Sequence, residues 1–239
     1  APAAVAPAAA SFDYSQVPAF DGTASVQMNG NVPYFTADDI QYAKDNPGYE
    51  HYGEQDRLAR CTVASASVGK ETMPAEGEER GDIGQIKPTG WHTVKYESVS
   101  GKYLYNRCHL IGWQLTDENS NINNLITGTR FMNVDGMLKY EDDVAAYVKS
   151  TGNHVLYRVT PVFLDDDLVA AAVGQLVQHV LEQRRHHRVQ PAGADVLHAL
   201  VDPRRRARDL ADAVVGEAQP RAVRLDQGLI LLRQRVLRL

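Results

Sequence analysis

A helix that has to stop, and a strand that has to begin almost at once, set the first limit on how this chain can fold. Across residues 137–150 the apolar positions Leu138, Val144, Ala145, Tyr147 and Val148 gather on one side at helical spacing. Gly152 and Asn153 then supply the stop, because these residues enter the left-handed conformation that ends helices. Residues 155–163, VLYRVTPVF, are β-branched and aromatic and read as a strand, broken near its end by Pro161. Upstream the pieces are shorter. Residues 25–28, 32–35, 60–66, 91–96 and 102–105 are strand-like, with 98–101 as the turn between the last two. Thr36-Ala37-Asp38-Asp39 is a helix start, with Thr36 as N-cap and acids in the first turn. Residues 71–85 form a polar loop bearing Pro and Gly, and TDENSNINN (116–124) a second, Asn-rich one. The pattern is α+β.

That pattern does not run to the end. Residues 1–164 hold 13 Lys+Arg against 20 Asp+Glu, whereas residues 165–239 hold 12 against 10, and all 12 are arginine. The last lysine is Lys149, the last asparagine Asn153 and the last threonine Thr160. Two readings fit such a tail. QLVQHVLEQ and ARDLADAVV have helical spacing, which suggests a separate helical region. A shifted reading frame fused to a genuine N-terminal domain is the other, and the favoured one.

The formal net charge of −5 makes the whole chain a poor electrostatic magnet for nucleic acid, so a polyanionic substrate needs a local basic patch or a metal ion. No apolar run approaches the roughly 18–20 residues that span a bilayer. Residues 1–16 open as APAAVAPAAAS, an Ala/Pro-rich linker. The stretch lacks a basic start and a long apolar run, so it is not itself a signal peptide. It resembles what is left after one is removed, or a surface tether, and points to a secreted, extracellular protein. Cys61 and Cys108 are too few for a disulfide scaffold or a zinc ribbon; one disulfide or two buried thiols both fit.

Chemistry concentrates at YLYNRCHLIGWQL, residues 103–115, where a strand ends in an imidazole. A structural zinc site wants close ligand pairs, but Cys108 and His109 are adjacent on a strand and point to opposite faces. A Cys–His hydrolase would need its base from His92 or His154, and no small-residue turn surrounds Cys108. A histidine that merely packs is the ordinary alternative. The neighbours of His109 weigh against it. Asn133 sits in the apolar and aromatic run Arg130-Phe131-Met132-Asn133, where its amide needs a partner and its oxygen suits Mg²⁺. An imidazole that takes a proton from water beside such an ion suffices for phosphodiester hydrolysis. Arg107 and Arg130 could hold phosphate oxygens bidentately.

The segments YLYNRCHLIG, ENSNINNLITGTRFMNV, EDDVAAYV and TGNHVLYRVTPVF, with VGKETMP, ERGDIG and KPTGW upstream, resemble the DNA/RNA non-specific endonucleases. These are ββα-metal nucleases of the His-Asn-His type, and the likeness is to the secreted group from Gram-positive bacteria. It runs from about Val17 to Val173. The resemblance implies a ββα-metal finger core with a central antiparallel sheet, a domain over residues 17–173, and an Arg-rich tail over 174–239. It further implies His109 as general base, Asn133 as the single protein ligand to Mg²⁺ (or Mn²⁺), and Glu141 as the acid that holds metal-bound water. Asn121 and Asn124 match asparagines that brace the site, with Asn124 orienting the base. Arg107 matches the motif arginine, and Arg130 and Arg80 are further phosphate contacts. The expected substrate is DNA, and RNA as well. Asn106 and Cys108 replace the Asp and Gly of the broader motif. Similar proteins continue after VTPVF with more strands, and here the likeness fades near Gly174. An unclosed sheet would expose an edge. It would favour the rival reading, a truncated, inactive pseudo-nuclease or a nucleic-acid-binding protein that uses its arginines.

Overall fold

A computed structural model describes residues 22–180 and 228–233; the linker at 1–16, the ARDLADAVV segment and most of the Arg-rich tail lie outside them. The centre is a six-stranded antiparallel sheet. Its strands are β1 (Ser25–Met28), β2 (Glu50–Tyr52), β3 (Ala64–Val68), β6 (His154–Val162), β7 (Ala172–Val180) and β8 (Gly228–Arg233), in the order β1-β8-β7-β6-β3-β2. A separate two-stranded hairpin joins β4 (Tyr105–His109) to β5 (Leu125–Thr129). The described residues also form three α-helices: α1 (Ala37–Asp45), the single turn α2 (Trp113–Thr116) and α3 (Leu138–Thr151).

The long strand β6 shows how the layers are sorted. Successive strand side chains point to opposite faces. Val155, Tyr157 and Val159 accordingly enter the main core, which also takes Val144 and Val148 of α3 and Cys108 and Ile126 of the hairpin. Leu156 faces the other way, into a smaller cluster with Ala43 of α1 and Val180. Arg158 on that second face reaches Asp39 at 2.6 Å, and both side chains are buried. Burial alone would raise the Asp39 pKa. The bonds and charge from Arg158, with those from Thr36, outweigh it and hold the carboxyl below its ordinary value. Asp39 also completes the capping box that Thr36 opens, so the predicted start of α1 is realised in full.

The structure departs from the sequence reading in five places. Residues 32–35 form no strand, and residues 91–96 form none either, making only the single bridge Lys95↔Tyr103, although the turn at 98–101 is present. The strand expected from residue 60 begins at Ala64, and the one expected at 102–105 is displaced to Tyr105–His109. Most consequential, QLVQHV is strand and not helix. It belongs to β7, which pairs with β6 over nine residues, from His154↔Val180 to Val162↔Ala172. Paired sheet thus continues past the point where the composition changes. Within the described residues no helix is long and apolar enough to cross a membrane.

Candidate active site

Strand alternation divides the hairpin by function. Cys108 is wholly buried in the core. Arg107 and His109, one residue either side, line a cavity of about 160 Å³. The register Cys108↔Ile126 and His109↔Leu125 fixes this arrangement. Both cysteines are free and buried, which answers the disulfide question. Burial pushes the Cys61 thiol up to about 11 and the Cys108 thiol well above its ordinary value, so neither is a nucleophile.

The same cavity is lined by Arg80, Gly112, Asn133 and Glu141. The fold therefore collects there the histidine of β4, an acid from α3 and the asparagine just ahead of that helix. Asn133 lies in a π-helical turn, Met132–Met137, in which the Leu138 N–H donates to the Asn133 carbonyl. Such wide turns recur at functional sites.

His109 is held at both ring nitrogens. Nε2 lies 2.7 Å from the Asn119 carbonyl and Nδ1 lies 3.2 Å from Arg80 Nη2. Burial pulls its pKa down to about 4; the Asn119 carbonyl opposes this and the Arg80 charge adds to it. Glu141 moves the other way. Burial and the nearby Asp142 push it up to about 8, against Arg80 and the Gly112 N–H. The approach to Gly112 is close enough that a Cβ there would stand 2.6 Å from Glu141 Oε2.

The remaining expected residues occupy distinct places. Asn124 is fully buried and spends its whole amide on one residue: Oδ1 accepts from the Ile111 N–H and Nδ2 donates to the Ile111 carbonyl, both at 2.9 Å. It braces the chain two residues past His109. Asn121 accepts from the Asn123 N–H, shaping the loop, and is not among the cavity-lining residues. Arg107 donates to the carbonyls of Ile86 and Gly84 and packs over Trp91 at 3.8 Å, so it also anchors the 84–91 loop. Arg130 lines an adjoining groove of about 490 Å³ that shares Arg80, Arg107 and Asn133 with the inner cavity. Two participants were not singled out from the sequence. Asn119, which holds both His109 and Arg80, is one asparagine among several in a loop. Gly112 carries no signal beyond its position after the histidine.

Among the described residues no group of three or more His, Cys, Asp or Glu side chains could hold a metal ion. The cavity offers hard oxygen donors instead, the Asn133 amide and the Glu141 carboxylate. Zinc wants a nitrogen- and sulfur-rich set, whereas Mg²⁺ keeps most of its waters and takes one or two protein oxygens. The donor set fits Mg²⁺.

A hairpin that delivers a histidine to a helix bearing glutamate, with an asparagine in the turn that leads into it, is the ββα-metal arrangement. Residues 39–179 match the family described as DNA/RNA non-specific endonuclease, and the chain belongs to that family. Two crystal structures of NucA from Streptococcus agalactiae share the fold, one with no metal bound and one with a magnesium ion bound, at TM-scores of 0.54 and 0.55. Each is 24% identical to this chain, over 64% of this chain and 72% of that one. No curated protein matches the chain.

Proposed function

We propose that the chain is a Mg²⁺-dependent, sequence-non-specific endonuclease that hydrolyses phosphodiester bonds of DNA and also of RNA. The observation that carries this reading is a neutral, buried imidazole facing the same small cavity as Asn133 and Glu141. His109 is the general base: Nδ1 takes the proton of the attacking water while Nε2 stays tied to Asn119. In the resting protein Arg80 holds that Nδ1 lone pair. A substrate phosphate draws the guanidinium onto its own oxygens and frees the nitrogen for water. Arg107 and Arg130 bind further phosphate oxygens. Asn133 would hold the ion, with Glu141 fixing its water. When bound, Mg²⁺ supplies positive charge that stabilises the scissile phosphate and the leaving oxygen. Asn124 keeps the segment after His109 in place and acts through position alone. We assign this activity to a domain that starts near Val17, behind an Ala/Pro-rich linker, in a secreted protein.

The rival reading is a truncated, inactive pseudo-nuclease or a nucleic-acid-binding protein that uses its arginines. The full-length pairing of β6 with β7 speaks against an unclosed edge there, and most of the arginine-rich tail lies outside the described residues. A plasmid-nicking assay with Mg²⁺ tests the proposal. His109→Ala is expected to lower the rate by about 10²–10⁴-fold. Cleavage indifferent to that change, or none by the wild type at any metal concentration, sinks it.

A further inference from the structure

We propose that the groove beside the His109 cavity is a stacking platform for an unpaired strand, so that the preferred substrate is single-stranded or locally melted nucleic acid. The inference rests on the hydrolytic reading above and names its substrate class.

The groove adjoins the cavity, sharing Arg80, Arg107 and Asn133 with it, and its wall carries Trp91, Tyr103 and Tyr105. Their placement follows from the backbone. The bridge Lys95↔Tyr103 and the bond from the Leu104 N–H to the Val94 carbonyl pin the 91–105 segment beside β4. Along β4, Tyr105, Arg107 and His109 are alternate residues and share a face. Tyr105 therefore lies roughly 13 Å from His109 along the strand. Tyr103 continues the line and is 47% exposed, with Lys95 Nζ over its ring at 4.6 Å. One face of this strand thus reads from aromatic rings through a cation to the base.

Rings and arginines in one groove suit a single strand. The guanidinium groups of Arg80, Arg107 and Arg130 match its phosphates. Arg107 covers one face of Trp91, Lys95 lies over one face of Tyr103 and His92 packs against Tyr105, which leaves the 47% exposed Tyr103 as the main stacking surface. Such rings accept any base by stacking, which keeps recognition free of sequence. A duplex cannot use them, because its bases are already stacked and present only their edges in the grooves. The mild overall acidity of the chain leaves binding to this local patch.

The test separates binding from chemistry. The full-length protein in EDTA is titrated by fluorescence anisotropy against fluorescein-labelled oligothymidylate, and against the same strand paired with oligodeoxyadenylate. Tighter binding of the single strand is expected, and Tyr103→Ala should weaken it about tenfold or more, while Tyr103→Phe preserves it. Duplex binding should respond much less to either change. Unchanged single-strand affinity in Tyr103→Ala, or a wild type that prefers the duplex, overturns the platform. Wild-type nicking of a plasmid with Mg²⁺ is scored separately. Its absence would overturn hydrolysis, whereas a Tyr103-dependent preference for single strands would still support the platform.

Discussion

His109 donates its Nε2–H to the carbonyl oxygen of Asn119, and this contact decides which nitrogen of the ring can act as a base. A carbonyl can only accept and the Arg80 guanidinium can only donate, so the two contacts place the proton on Nε2 and the lone pair on Nδ1. Long-range ¹H–¹⁵N spectra of the ring should show this single tautomer at neutral pH. Burial and Arg80 hold the pKa near 4, well under the ordinary 6.5. The acid limb of kcat/KM is therefore expected far below the usual histidine range. Arg80→Gln, which removes the opposing cation, should move it upward.

Glu141 and His109 shape stability against pH in opposite senses. The folded Glu141 keeps its proton up to about 8, whereas the unfolded chain releases it near 4.5. Between these values the unfolded state binds fewer protons, so this residue lowers stability as the pH rises. His109 lowers it as the pH falls from 6.5 toward about 4, where the unfolded ring gains a proton that the folded ring refuses. Glu141→Gln should therefore raise the melting temperature, by a margin that grows from pH 5 to pH 8, while cutting cleavage. Mg²⁺ binding at pH 7 should release a proton in the wild type, read as buffer-dependent heat in calorimetry, and not in the glutamine variant.

Gly112→Ala should damage both fold and site. The added methyl would stand 2.6 Å from Glu141 Oε2 and 2.8 Å from its carboxyl carbon, and Glu141 is buried on α3 with little room to yield. Overpacking of this kind costs about 1–3 kcal/mol, which urea denaturation would register. Nicking should fall at least about tenfold as the carboxylate is displaced. A variant with unaltered rate would show that the position of Glu141 does not matter.

Asn124→Ala should cost about 1–3 kcal/mol for each Ile111 backbone group left without its partner. Asn124→Asp should do no better, since it replaces the donor to the Ile111 carbonyl with a second oxygen. The rate is expected to drop with little change in KM, because the base moves while the phosphate contacts stay. Urea denaturation and steady-state nicking read the two effects separately.

The parts of the fold legible in the sequence were those with local causes. Gly152 ends α3 with a φ of 72°, as its identity requires, and Thr36 and Asp39 cap α1 through a bond pattern contained in four residues. The β7 segment reads two ways because QLVQHV satisfies two periodicities. Leu176, Val177 and Val180 fit one side of a helix, and the unpaired edge of β6 decides for strand. In the site, the resemblance singled out His109, Asn133 and Glu141, and the fold puts them on one cavity. The roles of Asn119 and Gly112 depend on contacts with His109, Arg80 and Glu141 that only the folded chain creates. Nothing in the 116–124 run distinguishes Asn119 from its neighbours.

The alternation of Cys108 into the core and His109 into the cavity makes β4 far less tolerant of a shift than of a replacement. Substitutions alter one side chain at a time. Loss of a single codon between Tyr105 and His109 would exchange the two faces wholesale, driving the imidazole toward the space that the thiol fills and turning a core residue outward. A lineage carrying this hairpin can drift in the identity of its residues, but not in their count.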